Sequence, residues 1–241
     1  MKTHKMFISI FVMAIVFLTV TLSHAASVTG KVTYNGDIPK FKPIKMEADP
    51  VCLAKHSGEV FPETLILGDE TTKTLGNVFV HVTSGLTNKN YPAPSEPLVL
   101  TQEGCRYSPH VIALRVGQPI KILNPDGTLH NLHALPKVNE QFNLAMPNFR
   151  KETTRTFSKV EVTPFPIKCD VHPWMGAWIS VMDHPFFCVT RPNGQYKIDN
   201  LPAGTYEIEA WHEKLPAQKA TVTLAEGETK EINFTFSKPS N

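Results

Sequence analysis

RVGQPIKILNPDGTLHNLHA, residues 115–134, is the stretch on which the reading of this chain turns. Ile120 and Ile122 flank Lys121, the apolar and polar alternation of a strand whose successive side chains point to opposite faces. The strand runs through Leu123, and Asn124-Pro125-Asp126-Gly127 then supplies turn chemistry, because proline presets the backbone and glycine tolerates what other residues avoid. Beyond the turn stand two imidazoles, His130 and His133.

The same grammar recurs in both directions. SVTGKVTY (27–34), NVFVHVTSG (77–85), WISVM (178–182), TYEIEAW (205–211), KATVTL (219–224) and KEINFTF (230–236) alternate or carry β-branched residues. Asn35-Gly36, Pro192-Asn193-Gly194, Pro202-Ala203-Gly204 and Glu226-Gly227 separate them. Apart from the first residues, no window holds a helical period over three turns. The expected fold class is therefore all-β, built from sandwiches or barrels.

The first residues set the compartment. MKTHKMFISIFVMAIVFLTVTLSHA has two lysines, an apolar run from Met6 to Leu22 and small residues before position 26, the pattern of a signal peptide cut after Ala25. The competing reading is a retained anchor, since the run is nearly long enough to span a bilayer. Export to a bacterial periplasm is the expectation. Without Lys2 and Lys5, 22 basic residues face 22 acidic ones, which gives no electrostatic footprint for nucleic acid.

Composition shifts near residue 186, from long loops rich in Asn, His, Met and Pro to evenly spaced strands. The expected units are a signal peptide (1–25), an N-terminal β segment (26–96), a middle domain (97–185) and a C-terminal β-sandwich (186–241). The first strand, in SVTGKVTY, is open to pairing with the C-terminal strands.

The chemistry is concentrated in CDVHPWM, residues 169–175, which sets a thiol, an imidazole and a thioether three residues apart on one short loop. Two imidazoles and a thiolate with a weak axial thioether suit both copper oxidation states. The second imidazole is expected from the loop after Leu123. His130 is preferred over His133, because Asn131 beside it can hydrogen-bond between the two ligand loops and orient them. Zinc is the competing metal, but structural zinc favours four strong ligands. A Cys169–Cys188 disulfide would leave the spacing of His172 and Met175 unexplained.

RVGQPIKILNPDGTLHN followed by KCDVHPWMGAWISV resembles the cupredoxin family over residues 97–183, in particular its amicyanin-, pseudoazurin- and plastocyanin-type members and methylamine utilization proteins, without implying that methylamine is involved. The resemblance implies a Greek-key β-sandwich with one blue-copper ion. Cys169, His130 and His172 would be its strong ligands, Met175 the axial one, and Asn131 would lie behind them. It also implies one-electron exchange with a partner such as a cytochrome or dehydrogenase. FNLAMPN (142–148) falls where the family has a connecting loop. His172 is expected near solvent, forming an apolar docking face with Pro173 and Trp174. RPNGQYKIDNLPAGTYEIEAWHEKL resembles carboxypeptidase-regulatory-like, transthyretin-like or carbohydrate-binding-like sandwiches.

Enzymatic use of the copper is not expected. Cys169 lies between Lys168 and Asp170, so the adjacent histidine that relays electrons in copper oxidases is missing, and HNLH is not an HxH pair. The competing function is an envelope module that binds a glycan or protein and stores copper or carries it incidentally. Cys52 and Cys105 are expected as a disulfide, although nearby His56 and His110 leave a second metal site open. Cys188 is then a buried free thiol.

Overall fold

The computed structural model describes residues 25–68, 71–88 and 90–238; residues 1–24 of the segment read as a signal peptide lie outside them. The chain is all-β, as the alternation predicts. In order the strands are β1 (Ala26–Tyr34), β2 (Phe79–Ser84), β3 (Leu98–Thr101), β4 (Val111–Arg115), β5 (Ile120–Leu123), β6 (His130–Ala134), β7 (Phe142–Met146) and β8 (Glu152–Arg155). They continue with β9 (Glu161–Lys168), β10 (Gly176–Met182), β11 (Phe187–Val189), β12 (Gln195–Leu201), β13 (Gly204–His212), β14 (Leu215–Leu224), β15 (Thr229–Glu231) and β16 (Phe234–Phe236). A five-residue helix, α1 (Pro50–Ala54), precedes β2. Among the described residues no helix is long and apolar enough to cross a membrane.

One sandwich packs the sheet β4-β10-β9-β6-β7 against β3-β5-β8, around a core that includes Leu100, Ile112, Ile122, Leu132, Ile167 and Ile179. Each such side chain, fully buried, contributes about 1.5–3 kcal/mol. The other sandwich packs β12-β1-β15, with β16 also on β1, against β11-β2-β13-β14. Residues 26–96 are shared between the two cores: β1 and β2 join the second, while Met46 and Cys52 pack into the first. Phe79, Val111, Ala113 and Met182 form a small apolar seam with Trp178 and Trp211 packed against it, joining the backs of β4 and β10 to β2 and β13. Strand β10 is therefore covered on both faces, which explains the nearly continuous apolar run in WISVM.

Gly30 sits inside β1 because a Cβ there would lie 1.8 Å from the Ile232 carbonyl oxygen. A glycine within a strand marks such a close backbone approach.

Three local expectations are corrected, and one unanticipated helix is added. HNLHA forms strand β6 rather than a loop, since Leu132 and Ala134 alternate into the core with His130. FNLAM likewise forms strand β7, paired with β6, rather than a connecting loop. The helix α1 has no periodic pattern to announce it; Asp49 caps it, accepting from the Val51 and Cys52 amides, and proline opens its first turn. Cys188 is a free thiol but only half-buried, because β11 is a three-residue strand at a sheet edge.

Candidate metal centre

Lys168 and Gly176 pair across the β9–β10 hairpin, so CDVHPWM is its connecting loop. The Met175 amide donates to the His172 carbonyl (2.9 Å) and the Cys169 amide to the Met175 carbonyl (3.2 Å), while the His172 amide donates to Cys169 Sγ (3.4 Å). The loop thus folds around its own thiol. Cys169, His172 and Met175 are all buried.

Strand β6 supplies the facing imidazole. Residues three apart on a strand point to opposite sides, so His130 enters the core while His133 turns away. His133 Nδ1 lies 3.0 Å from Asp170 Oδ2. One nitrogen or sulfur from each of His130, Cys169 and His172 falls within 4.8 Å of the others. His130 Nδ1 is 3.0 Å from His172 Nδ1, and Cys169 Sγ is 3.8 Å from His172 Nδ1.

Two carboxylates that the sequence analysis did not single out hold the far side of these rings. His130 Nε2 donates to Asp126 Oδ2 and His172 Nε2 to Asp49 Oδ2, each at 3.0 Å. Asp126 comes from the Asn-Pro-Asp-Gly turn and also accepts from the Gly104 and Cys105 amides and from Lys55. Asp49 also accepts from Thr128 Oγ1. Burial opposes the charge on both acids. Hydrogen bonds outweigh it: those from His172 and Thr128 bring Asp49 down to about 2, and those from the Cys105 amide and His130 hold Asp126 below its ordinary range.

An ionised carboxylate only accepts, so each ring carries its proton on Nε2 and presents a bare lone pair at Nδ1. Two lone pairs 3.0 Å apart repel unless a cation lies between them. Burial pushes the His130 pKa down despite the Asp126 bond. The donor set therefore fits a metal ion bound by two imidazoles and a thiolate.

Asn131 spans the two ligand-bearing segments. Its Oδ1 accepts from the Asp170 amide (2.7 Å) and from Cys169 Sγ (3.3 Å), and its Nδ2 donates to Asn143 and Asp170. The Tyr107 hydroxyl donates to its carbonyl.

The expected exposure of His172 is overturned: it is 2% exposed. Asp49 and α1 cover it, with Cys52 Sγ 3.6 Å from Nε2. Cys52 and Cys105 form a disulfide across 53 residues, a closure worth about 4 kcal/mol in the chain-entropy account. The histidines once open to a second metal site bond elsewhere, His56 to the Gly104 carbonyl and His110 to Glu213. Trp174, whose indole donates to the Cys105 carbonyl, packs 5.1 Å from the His172 ring centre.

No protein-family model matches the chain, and no curated protein sequence does. Among solved structures it is similar to the Cu-containing nitrite reductase (NirK) from Thermus scotoductus SA-01, at 18% identity over 42% of this chain and 26% of that one, with a TM-score of 0.34. The matched part thus spans about a quarter of the reductase. A P94A mutant of amicyanin in its oxidised state is 17% identical over 43% of this chain and 98% of its own, with a TM-score of 0.32. The purple cupredoxin from Nitrosopumilus maritimus is 18% identical over 35% of this chain and 99% of its own, with a TM-score of 0.30.

Proposed function

We propose that this chain binds one copper ion in a blue-copper centre and carries single electrons. His130 Nδ1, His172 Nδ1 and Cys169 Sγ would be the strong ligands and Met175 the weak axial one. The observation that carries the proposal is the pair of Nδ1 lone pairs facing each other at 3.0 Å beside a buried thiol, with both Nε2 atoms held by carboxylates. Bound there, copper would supply a one-electron couple tuned by the thiolate and the axial thioether. Copper is favoured over zinc because Asp49 and Asp126 bond to the rings instead of offering a fourth strong ligand.

The residues around the site have separable roles. Asp126 and Asp49 fix the ring tautomers, Asn131 ties the Cys169 loop to β6, and the disulfide fastens α1 over His172. We assign the chain a non-catalytic role in the periplasm after removal of residues 1–25, with a cytochrome or dehydrogenase as redox partner. In this reading residues 97–185 are the copper domain, and residues 186–241 with β1 and β2 form a carboxypeptidase-regulatory-like module.

Reconstitution with Cu(II) tests the proposal. An intense blue thiolate-to-copper absorption and a small parallel hyperfine splitting in EPR are expected, and Cys169→Ser abolishes both while leaving the fold. A colourless protein with a native circular dichroism spectrum overturns the site. A blue protein that neither a cytochrome nor a small mediator can cycle overturns the electron-transfer role.

A further inference from the structure

A cleft of about 260 Å³ lies between the Cys169–Met175 loop and the turn joining β13 to β14. A dry cavity of ~150 Å³ is enough for benzene, so this one has room for a single ring and a substituent. Trp174, Trp178 and Pro173 give it an aromatic and apolar wall, and Met175 forms part of its floor. Its charges cancel, with Glu63 and Glu213 set against Arg106 and Lys168. Arg106 is already 2.9 Å from Glu63. A neutral occupant suits such a lining better than an ion.

One group in this wall lacks a partner. His110 is 9% exposed, and its Nε2 donates to Glu213 Oε1 at 2.5 Å. Its Nδ1 has no hydrogen bond among the described residues. Glu63 Oε2, at 3.9 Å, is beyond hydrogen-bond distance of it. A buried polar atom left unpaired costs about 1–3 kcal/mol, and a hydroxyl, which both donates and accepts, can relieve it in either protonation state of the ring. The Glu63 side chain is 31% exposed, so it is the part of the wall beside Nδ1 with room to rotate and admit one.

We propose that this cleft is a binding site for a small neutral phenol, its ring against Trp174 and Trp178 and its hydroxyl hydrogen-bonded to His110 Nδ1. Aromatic walls select the ring, charge balance disfavours ammonium and carboxylate ligands, and the unpaired ring nitrogen selects the hydroxyl. The site is distinct from the copper-binding groups, although an occupant would lie beside Met175. Binding therefore does not require the metal.

Calorimetric titration of the full metal-free chain with phenol and with toluene tests this. Phenol is expected to saturate at one per chain and to bind roughly three- to tenfold more tightly than toluene, the factor one hydrogen bond supplies. His110→Gln keeps a donor toward Glu213 but removes Nδ1, and should erase the preference; His110→Asn, with an amide group near the Nδ1 position, should retain it. In the unmutated protein, phenol should shift the indole N–H resonances of Trp174 and Trp178. Equal affinity for the two probes, unsaturable binding, unmoved indole resonances, or an undiminished preference in a folded His110→Gln would each overturn the proposal.

Discussion

Two groups of buried histidines sit in this molecule, and they behave differently. In and beside the second sandwich His81, His184 and His212 are buried one by one, each satisfied by its own surroundings. His81 stacks on Phe79 and approaches Glu209; His184 meets the Val82 carbonyl and the Phe186 amide; His212 accepts from the Lys214 amide. Burial lowers the pKa of all three, that of His212 to about 4. In the first sandwich His130 and His172 are equally buried, but each spends Nε2 on a carboxylate and turns Nδ1 toward the other and toward Cys169. Burial alone marks core histidines. Convergence of bare nitrogens from two different elements, braced from behind, marks a site.

The largest effect that could break this contrast comes from deleting one ring of each group. His130→Ala should abolish copper binding in a calorimetric titration, whereas His184→Ala should leave it intact and lower only the melting temperature. Comparable metal affinity in both variants would erase the distinction.

Next in size are the braces. Asp126→Asn and Asp49→Asn should each weaken metal binding roughly 10- to 100-fold, the usual cost of losing an outer hydrogen-bond partner of a ligating histidine. Chelator competition would measure it, and unchanged affinity would show that the carboxylates serve only the fold.

Stability of the second sandwich should respond without touching the metal. Gly30→Ala places a methyl group against the Ile232 carbonyl and should cost about 1–3 kcal/mol in denaturant unfolding, as overpacking does.

The smallest effect is on pH. The folded pKa of His212 lies below its unfolded value, so the unfolded chain takes up the proton first. Its contribution is therefore complete above the ordinary imidazole range and declines as pH falls from about 6.5 toward 4. Thermal unfolding of the metal-free chain should fall across that window, and less steeply in His212→Gln.

Much of the architecture was legible because it is local. Alternation in TYEIEAW and KATVTL exposes β13 and β14, and turn chemistry separates them from their neighbours. CDVHPWM displays three candidate donors because one loop carries them all. The alternation of β6 also separates the two imidazoles: His130 and His133, three apart on a strand, cannot share a face.

What was not legible depends on distant segments. His172 is sealed by Asp49 and α1, more than a hundred residues upstream, and five residues of helix carry no period to detect. Asp49-Pro50 is a cap followed by a first-turn proline, so the helix start was readable in principle, but its target was not. The Asp126 contact with His130 spans only four residues and was hidden for another reason, within a turn that looked sufficient as a turn.

The central claim is that His130, His172 and Cys169 close on a single ion. X-ray absorption spectroscopy at the copper edge of the reconstituted protein tests it most directly. The account predicts one copper per chain with two imidazole nitrogens and one short thiolate sulfur in its inner shell, and loss of that sulfur in Cys169→Ser. A shell of nitrogen and oxygen alone, or one unchanged by Cys169→Ser, would contradict it.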